Sequence, residues 1–431
     1  MKFNSLPLGL LAAAQTAASL NFLMYADEYH TQGLPDSTLT AGISHAIMAF
    51  ARSTQFNGTA PHPWTPFEPV ETFRKRFGKD TKVLAAIGGW GESAGFYEGV
   101  KDEAAMALYA KNVRAMVDEF GLDGIDVDWE YPGGNGADYK QIPNSEKTGE
   151  IESYPRFLAA IRKALGKDKL LTIAVPGKRG DMIAYTKEQG PKIWESVDMV
   201  NIMTYDLMNR RDTVTAHHTD IKGSLDSIAA YEEIGLDPKK INLGFAYYAK
   251  WFTTKEGAGC ETNPLGCEVV LLEDEQGQDT GRSGAFTFEK ANLEAPPPNI
   301  GLSTDGSCGA GKGKCGDGQC CSQYGSCGTT DAHCLTGCRS DYGTCKGMSL
   351  IDSWRRAEKD GVTDEEAGGQ YYFDKEASLF WTWDTAPLIQ RKFKEIVDAK
   401  KIGGIMAWSL AEDSYQWEHL KAMQQGFQER S

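Results

Sequence analysis

Two hydrophobic periodicities alternate along most of the chain. Short apolar runs rich in β-branched and aromatic residues predict strands, and several are followed by stretches in which apolar residues recur every three to four positions, as in an amphipathic helix. The predicted strands cover residues 21–26, 43–51, 82–90, 124–131, 170–176, 199–206, 241–248 and 404–410, and the clearest helices cover 103–120, 154–165, 226–234 and 387–400. Eight strands with intervening helices predict an α/β fold, a parallel (β/α)8 TIM barrel whose strands are buried on both faces.

The interval between the seventh and eighth predicted strands is too long for a loop. Its parts at 252–300 and 347–385 combine strand-like and helical patterns, which predicts a small α+β insertion. Residues 301–346 between them are rich in glycine and cysteine and follow the stiff run Pro296-Pro297-Pro298. The sequence therefore predicts a barrel formed by residues 20–251 and 386–431, interrupted by an insertion that carries a separate module at 301–346.

The fourth predicted strand contains the sequence DGIDVDWEYP at residues 123–132. Because side chains alternate across a strand, Asp126, Asp128 and Glu130 project from one face and the apolar residues from the other. Three carboxyl groups in one small volume cannot all ionise near neutral pH, so the group should retain a proton, as a general acid requires. Glu130 ends the row and is the best placed donor, whereas Asp123 falls off this face and should have a structural role.

A cation site is the alternative interpretation of this acidic strand, since oxygen ligands bind calcium or magnesium. Calcium loops take ligands from a turning backbone with glycine in the ring, whereas these acids alternate with bulky apolar residues. The adjacent pair His217-His218 lacks the spacing of a metal motif and is expected in a solvated loop. We therefore expect neither a metal site nor a cofactor.

The net charge and the composition of the N-terminal residues indicate which partners and which cellular compartment to expect. The formal net charge of -15 argues against nucleic acid and anionic membranes, because both require a basic face. Residues 1–19 combine Lys2, a short apolar run and small residues, as in a secretory signal peptide. No later run approaches the roughly 18 consecutive apolar residues of a membrane span. With ten cysteines, which suit an oxidising compartment, the chain is expected to be secreted and extracellular.

Eight of the ten cysteines lie between Cys308 and Cys345, a density typical of a mini-domain held by disulfides. Zinc is the alternative, but this region has the adjacent pair Cys320-Cys321 and no C-x-x-C pair. The spacing alone does not select among the possible pairings. The remaining two, Cys260 and Cys267, are close enough to bridge a short loop, with two free thiols as the alternative.

The spacing D-x-x-D-x-D-x-E followed by Tyr131 and Pro132 resembles the signature of family 18 glycoside hydrolases, the chitinases and their relatives. The resemblance covers nearly all of residues 20–431 outside the cysteine-rich module. It implies a mechanism in which the acetamido group of the substrate acts as the nucleophile. It also implies roles for four residues: Glu130 as acid and base, Asp128 as the partner of the acetamido N–H, Asp126 as its charge-sharing neighbour, and Tyr205 as a donor to the acetamido carbonyl.

The same resemblance implies a sugar-binding groove, to which we assign Asp206, Trp408, Met203, Tyr25, Trp90 and Trp251. Two stretches depart from the family pattern. Ala86-Ile87-Gly88-Gly89 replaces S-x-G-G, and Tyr248-Ala249-Lys250 replaces Y-G-R. A lysine offers a point charge instead of a planar fork, so we expect one subsite to hold sugar differently.

The run CCSQYGSCGTTDAHC at residues 320–334 resembles hevein-type chitin-binding modules. That resemblance implies four disulfides, which are Cys308–Cys321, Cys315–Cys327, Cys320–Cys334 and Cys338–Cys345. In such modules a serine and three aromatic residues contact the sugar, stacking on its apolar faces. We assign Ser322, Tyr324 and His333 as the sugar contacts of the module, but Ser326 and His333 stand where two of the aromatic residues usually occur. We therefore expect weak chitin binding, with a purely structural module as the alternative.

Together the resemblances imply a secreted, monomeric chitinase that cleaves β-1,4-linked N-acetylglucosamine polymers with retention of configuration. Its expected partners are chitin and chitooligosaccharides. The alternatives are an endo-β-N-acetylglucosaminidase acting on glycoproteins and a non-catalytic, lectin-like chitin-binding protein. Glu130 argues against the second, because lectin-like members of the family typically lose this acid, and the module, Trp408 and the insertion favour chitin over glycoproteins.

Overall fold

The computed structural model describes residues 20–59, 64–294 and 296–430, so the predicted signal peptide at 1–19 lies outside the described residues. The strands are β1 (Asn21–Asp27), β2 (His45–Ala51), β3 (Lys82–Gly88), β4 (Gly124–Asp128), β5 (Leu170–Pro176), β6 (Met199–Met203), β7 (Ile241–Ala246), β8 (Tyr248–Thr253), β9 (Ser283–Thr287), β10 (Cys320–Cys321), β11 (Cys327–Gly328), β12 (Val362–Asp364), β13 (Gly369–Asp374), β14 (Leu379–Trp383) and β15 (Gly404–Trp408). The α-helices are α1 (Val70–Arg74), α2 (Ala94–Gly99), α3 (Glu103–Glu119), α4 (Thr148–Leu165), α5 (Gly190–Ser196), α6 (Ile221–Glu232), α7 (Lys290–Leu293), α8 (Asp331–Cys334), α9 (Leu350–Asp360), α10 (Ala386–Lys392) and α11 (Glu418–Gln428), and a π-helical stretch (Phe393–Asp398) continues α10.

Strands β1 to β7 and β15 form a closed barrel in the order β1-β2-β3-β4-β5-β6-β7-β15, with every neighbouring pair parallel. The predicted TIM barrel is therefore confirmed. Strands β4 and β6 end at Asp128 and Met203, three residues before the predicted ends. The residues that follow leave the ladder and reach the mouth of the barrel, where active sites of this fold lie.

Alternation along β4 divides its side chains between two environments. Ile125 and Val127 belong to the core between the barrel and the surrounding helices, whereas Asp126 and Asp128 point into the barrel. Helix α3 precedes this strand and fixes its position. Asp102 caps the helix by accepting a hydrogen bond from the Ala105 amide (2.8 Å), and apolar residues at helical spacing bury its inner face.

The insertion begins earlier than predicted. After a single connecting residue, β8 (Tyr248–Thr253) turns away from the barrel and joins an antiparallel sheet in the order β12-β13-β14-β8-β9. Residues 248–251, which were predicted to belong to the barrel, therefore lie in this second sheet. Helix α9 covers this sheet, with Trp354 packed against Trp381 and Phe286.

Residues 301–346, named here the disulfide segment, lie between α7 and α9. Its buried clusters consist mainly of cystine sulfur. The disulfides are Cys308–Cys321, Cys315–Cys327, Cys320–Cys334 and Cys338–Cys345, the pairs that the hevein resemblance implied, and Cys260–Cys267 closes the short loop in the insertion. Within the described ranges, no helix combines the length and the apolar character needed to cross a membrane.

Candidate active site

Asp126 lies at the centre of the barrel and is completely buried. It accepts hydrogen bonds from the Tyr25 hydroxyl (2.8 Å), the Thr172 hydroxyl (2.5 Å) and the Asn201 amide (3.0 Å). Burial raises the pKa of Asp126 to about 6, although these three bonds favour the ionised form and oppose the shift. Tyr25, predicted to line the groove, thus mainly positions this carboxyl group.

Asp128 and Glu130 continue the row toward the mouth of the barrel. Burial, with the charges of Glu130 and Asp126, raises the pKa of Asp128 well above its ordinary value. One oxygen of Asp128 is buried without a hydrogen-bond partner among the described residues. Burial also raises the pKa of Glu130 to about 7, with Asp206 and Asp181 adding to the shift. The expected proton held among the acids is thus most readily lost and regained near neutral pH.

A glycine permits the close packing beside this row. Gly88 ends β3 with φ of +108°, and a Cβ there would come within 2.3 Å of the Asp128 carbonyl oxygen. Asp123, which immediately precedes β4, accepts hydrogen bonds from Arg74 (2.7 Å) and the Val83 amide (2.8 Å), in agreement with its predicted structural role.

Asp206 follows β6 and is held by three residues that converge on its Oδ1. The Tyr248 hydroxyl donates to it at 3.0 Å, Lys250 Nζ lies at 3.3 Å, and His218 Nδ1 lies at 3.7 Å. Removal from water would raise the pKa of Asp206, but Lys250, His218 and Tyr248 outweigh that effect and lower it. Asp206 therefore presents a fixed negative charge to the groove.

The acids open into a groove of about 470 Å³. Its lining includes the predicted residues Tyr25, Trp90, Asp128, Glu130, Met203, Tyr205, Asp206 and Trp408. Trp408 stacks on Phe50 with centroids 5.4 Å apart, which fixes an aromatic floor. The Tyr205 hydroxyl donates to Met406 Sδ over a long distance of 3.9 Å, and burial raises its pKa, so it remains a protonated donor.

Two sequence predictions are wrong. Trp251 is fully buried in the insertion core and does not line the groove, because β8 alternates Tyr248 and Lys250 toward the groove with Ala249 and Trp251 toward the core. The His217-His218 pair is also buried, with His217 bonded to Asp364 (3.2 Å), instead of lying in a solvated loop.

Two predicted sugar contacts of the disulfide segment do not reach the groove. Ser322 is 3% exposed, and its hydroxyl accepts a hydrogen bond from the Ser326 amide (3.2 Å). His333 packs over Gly328, and its Nδ1 lies 2.7 Å from the Thr330 hydroxyl. Tyr324, in contrast, is 68% exposed and lines the groove.

Several polar residues that the motifs in the sequence do not indicate support the site. Thr172 and Asn201 are single polar positions within apolar strands, which was a usable sign of an inward contact. Arg211 forms a bidentate pair with Asp181 (2.6 and 3.0 Å) and opposes the raised pKa of Glu130. No local pattern distinguishes Arg211 from an ordinary surface arginine.

Two clusters in the described part of the chain have the composition of a cation site. Asp27, His30 and Glu412 place their ligand atoms within 4.8 Å of one another. Both Asp27 oxygens are already hydrogen-bonded, one to His30 (2.8 Å) and the other to Ser409, so the cluster ties the end of β1 to the residues after β15. Cys308, Cys315 and Cys327 form the other cluster and are all in disulfides.

Comparison with known proteins agrees with this architecture. The family model described as glycosyl hydrolases family 18 matches residues 21–413. Similar curated proteins include endochitinase 1 of Metarhizium robertsii, 29% identical over 276 residues that make up 56% of this chain and 61% of that protein. Chitotriosidase-1 of Mus musculus is 27% identical over 266 residues, which are 58% of this chain and 54% of the mouse protein. The chain thus matches somewhat over half the length of these relatives.

Solved structures share the fold at lower identity. Catalytic domain 2 of the Ostrinia furnacalis group II chitinase superimposes with a TM-score of 0.65 at 18% identity, covering 96% of this chain and 97% of that one. A mutant family 18 chitinase of Cycas revoluta, solved with (GlcNAc)4, gives a TM-score of 0.61 at 17% identity, covering 95% of this chain and all of the other (100%). These two similarities concern the fold.

Proposed function

The chain belongs to the glycosyl hydrolases of family 18, and from this premise we propose that it is a secreted chitinase that cleaves β-1,4 links between N-acetylglucosamine units with retention of configuration. The observation that carries the proposal is the row of Asp126, Asp128 and Glu130 beneath an aromatic groove, with the pKa of Glu130 near 7. A carboxyl group with such a pKa can both give and take a proton at neutral pH.

In the first step, the protonated Glu130 gives its proton to the glycosidic oxygen while the carbonyl oxygen of the substrate's own acetamido group attacks the anomeric carbon. The bond to the leaving oxygen breaks, and a positively charged oxazolinium ring forms. Asp128 accepts a hydrogen bond from the acetamido N–H and stabilises the new positive charge. Tyr205 donates to the acetamido oxygen and orients it for attack.

In the second step, the ionised Glu130 removes a proton from water, which attacks the anomeric carbon from the side that the leaving group vacated. The ring opens and the acetamido group is restored. Two successive inversions at one carbon give net retention. Asp126, fixed by Tyr25, Thr172 and Asn201, shares charge with Asp128 as the cycle proceeds.

Chitin is favoured as the substrate over the glycans of glycoproteins. The similar curated proteins are an endochitinase and a chitotriosidase, and the Cycas revoluta chitinase was solved with (GlcNAc)4. The long groove, lined by Trp90, Trp408 and the insertion, suits a linear chain of repeating sugars. The retained acid Glu130 argues against a lectin-like protein that only binds chitin.

Hydrolysis of N-acetylglucosamine hexamer, followed by separation of the products and NMR of the fresh anomers, tests the proposal. We expect short N-acetylated products that first appear as the β-anomer, because the substrate links are β and two inversions restore that configuration. The fully deacetylated hexamer should resist cleavage, since it lacks the nucleophilic amide. Cleavage of both hexamers at similar rates, or α-anomeric first products, would refute substrate-assisted catalysis.

Lys250 provides a second test at the groove wall. The substitution Lys250→Met removes the cation 3.3 Å from Asp206, so the carboxylate loses one of the three groups that fix its position, and its hydrogen bonds to sugar hydroxyl groups should weaken. We expect KM for the hexamer to rise by about three- to tenfold, the equivalent of one ordinary hydrogen bond, with a smaller change in kcat. Lys255→Met, which removes an exposed lysine paired with Glu268, is the matched control and should leave KM unchanged.

We further propose that the disulfide segment is a hevein-like module that contacts the chitin chain, and that residues 1–19 direct secretion of a monomeric enzyme. The disulfide pairings of the eight cysteines in this segment support the first proposal. Of the three residues expected to contact sugar, Tyr324 is the one with a large exposed surface.

A further inference from the structure

Tyr324 belongs to the disulfide segment but lines the same groove as Glu130 and Trp408. Tyr324 is 68% exposed, so its ring is open to the groove. More than 190 residues separate it in sequence from the acid, so only the packing of the insertion brings the two into one cavity.

The ring of Tyr324 is held in place from its own side of the groove. Its hydroxyl donates a hydrogen bond to Asp279 Oδ2 (2.5 Å). The adjacent Gln323 donates to the Ser283 carbonyl (3.2 Å) and lies so close to Gly284 that a Cβ there would stand 2.1 Å from its Oε1. The disulfide segment therefore sits directly on the edge strand β9, without a flexible spacer at this contact.

The loop that holds Asp279 also reaches the opposite side of the barrel mouth. Glu273 in this loop accepts a hydrogen bond from Tyr139, pairs with Lys140 (2.8 Å) and lies 3.4 Å from Arg210. Tyr139 and Lys140 belong to the loop after β4, the strand that carries the acids. The disulfide segment, the insertion and the catalytic strand are thus joined into one continuous wall.

The other two predicted sugar contacts of the segment, Ser322 and His333, offer little surface for sugar. Ser322 is buried, and His333 is packed over Gly328 and bonded to Thr330. A self-contained binding module would need several of these groups on one open face, whereas here the large exposed ring is the one turned into the groove.

We propose that the disulfide segment is a built-in wall of the catalytic groove and that Tyr324 is a stacking platform for a sugar unit of the chain being cleaved. This inference rests on the proposed chitinase function and adds a subsite to it. Aromatic rings bind the apolar faces of sugars, so the platform strengthens binding of chains long enough to reach it. The segment then acts in substrate selection by chain length, not as a tether to solid chitin.

The test is the ratio of kcat/KM for the hexamer to kcat/KM for the trimer, measured for the wild type, Tyr324→Ala, Tyr324→Phe and the control Leu302→Ala. Leu302 is an exposed residue of the same segment (63%) that does not line the groove. We expect Tyr324→Ala to lower the ratio by about three- to tenfold, the scale of one aromatic contact. Tyr324→Phe keeps the ring and should retain most of the ratio, and Leu302→Ala should equal the wild type.

Two outcomes would overturn the inference. One is an unchanged ratio in Tyr324→Ala; the other is an equal loss in Leu302→Ala, which would indicate general disturbance of the segment. If Tyr324→Ala weakens binding to insoluble chitin while the ratio stays constant, the segment is a separate tether and the inference is wrong. Failure of the wild type to cleave either oligosaccharide would instead refute the proposed function.

Discussion

Replacing Glu130 by glutamine is expected to lower kcat on N-acetylglucosamine hexamer by about 10²- to 10⁴-fold, the range that a positioned general acid contributes. Glutamine keeps the size and hydrogen-bonding reach of the side chain but has no proton to give at the pKa of about 7 that burial produces for Glu130. Both steps of the proposed mechanism use this group, so neither cleavage nor hydrolysis of the oxazolinium ring would proceed normally.

Measuring how Glu130→Gln binds the hexamer distinguishes loss of the catalytic acid from misfolding of the variant. The groove of Glu130→Gln keeps its aromatic floor and Asp206, so the dissociation constant for the hexamer should change little. Glu152→Gln, at an exposed position on α4, is the matched control and should retain full activity. If Glu130→Gln kept activity within about tenfold of the wild type, below the usual contribution of a general acid, the acid would have to be another residue.

Asp128→Asn is expected to lower kcat by about 10²- to 10³-fold, the loss typical of removing one preorganised electrostatic contact. Asp128 lies between Asp126 and Glu130, and its charge would stabilise the positive intermediate. The substitution should also change the pH profile. In the wild type, activity requires protonated Glu130 and therefore falls as the pH rises through about 7. Removing a neighbouring negative charge lowers the pKa of Glu130, so this alkaline limb should move to lower pH.

The acid limb of the pH profile and the Tm of Asp128→Asn provide two further measurements. In the wild type, activity should also fall as the pH drops through about 6, where Asp126 becomes protonated. Burial raises the pKa of Asp128, so ionising it costs stability as the pH rises through its folded value, and Asp128→Asn should not lower Tm at neutral pH. Asp226→Asn, at an exposed position on α6, serves as the control. An alkaline limb that stays in place in Asp128→Asn would exclude the proposed coupling.

Because the disulfide segment lines the groove, the kinetic constants of groove variants should be compared on substrates of the same chain length. If Tyr324 binds a sugar of the same chain, the effects of groove variants depend on substrate length. Lys250→Met acts through Asp206, whereas Tyr324→Ala removes the ring that Asp279 holds in place. Their effects on KM should be additive unless the insertion moves as a unit.

The amino-acid sequence by itself determined the parts of this protein that depend on local periodicity and on recognisable spacing. Alternation along β4 placed Asp126 and Asp128 on the inner face, and the repeated apolar runs predicted eight barrel strands. These features were predictable because the direction of a side chain within one strand follows from the backbone alone.

The tertiary structure decided what depends on the path of the chain between strands. The change of direction after Ala246 buried Trp251 and turned Lys250 toward Asp206, although the two lie only one residue apart in sequence. The hydrogen bonds of Thr172 and Asn201 to Asp126, and the position of Tyr324 in the groove, join segments 46 to more than 190 residues apart. A local pattern marks Thr172 and Asn201 as inward-facing polar residues but does not identify their partners, because these contacts arise only when the barrel closes and the insertion packs across its mouth.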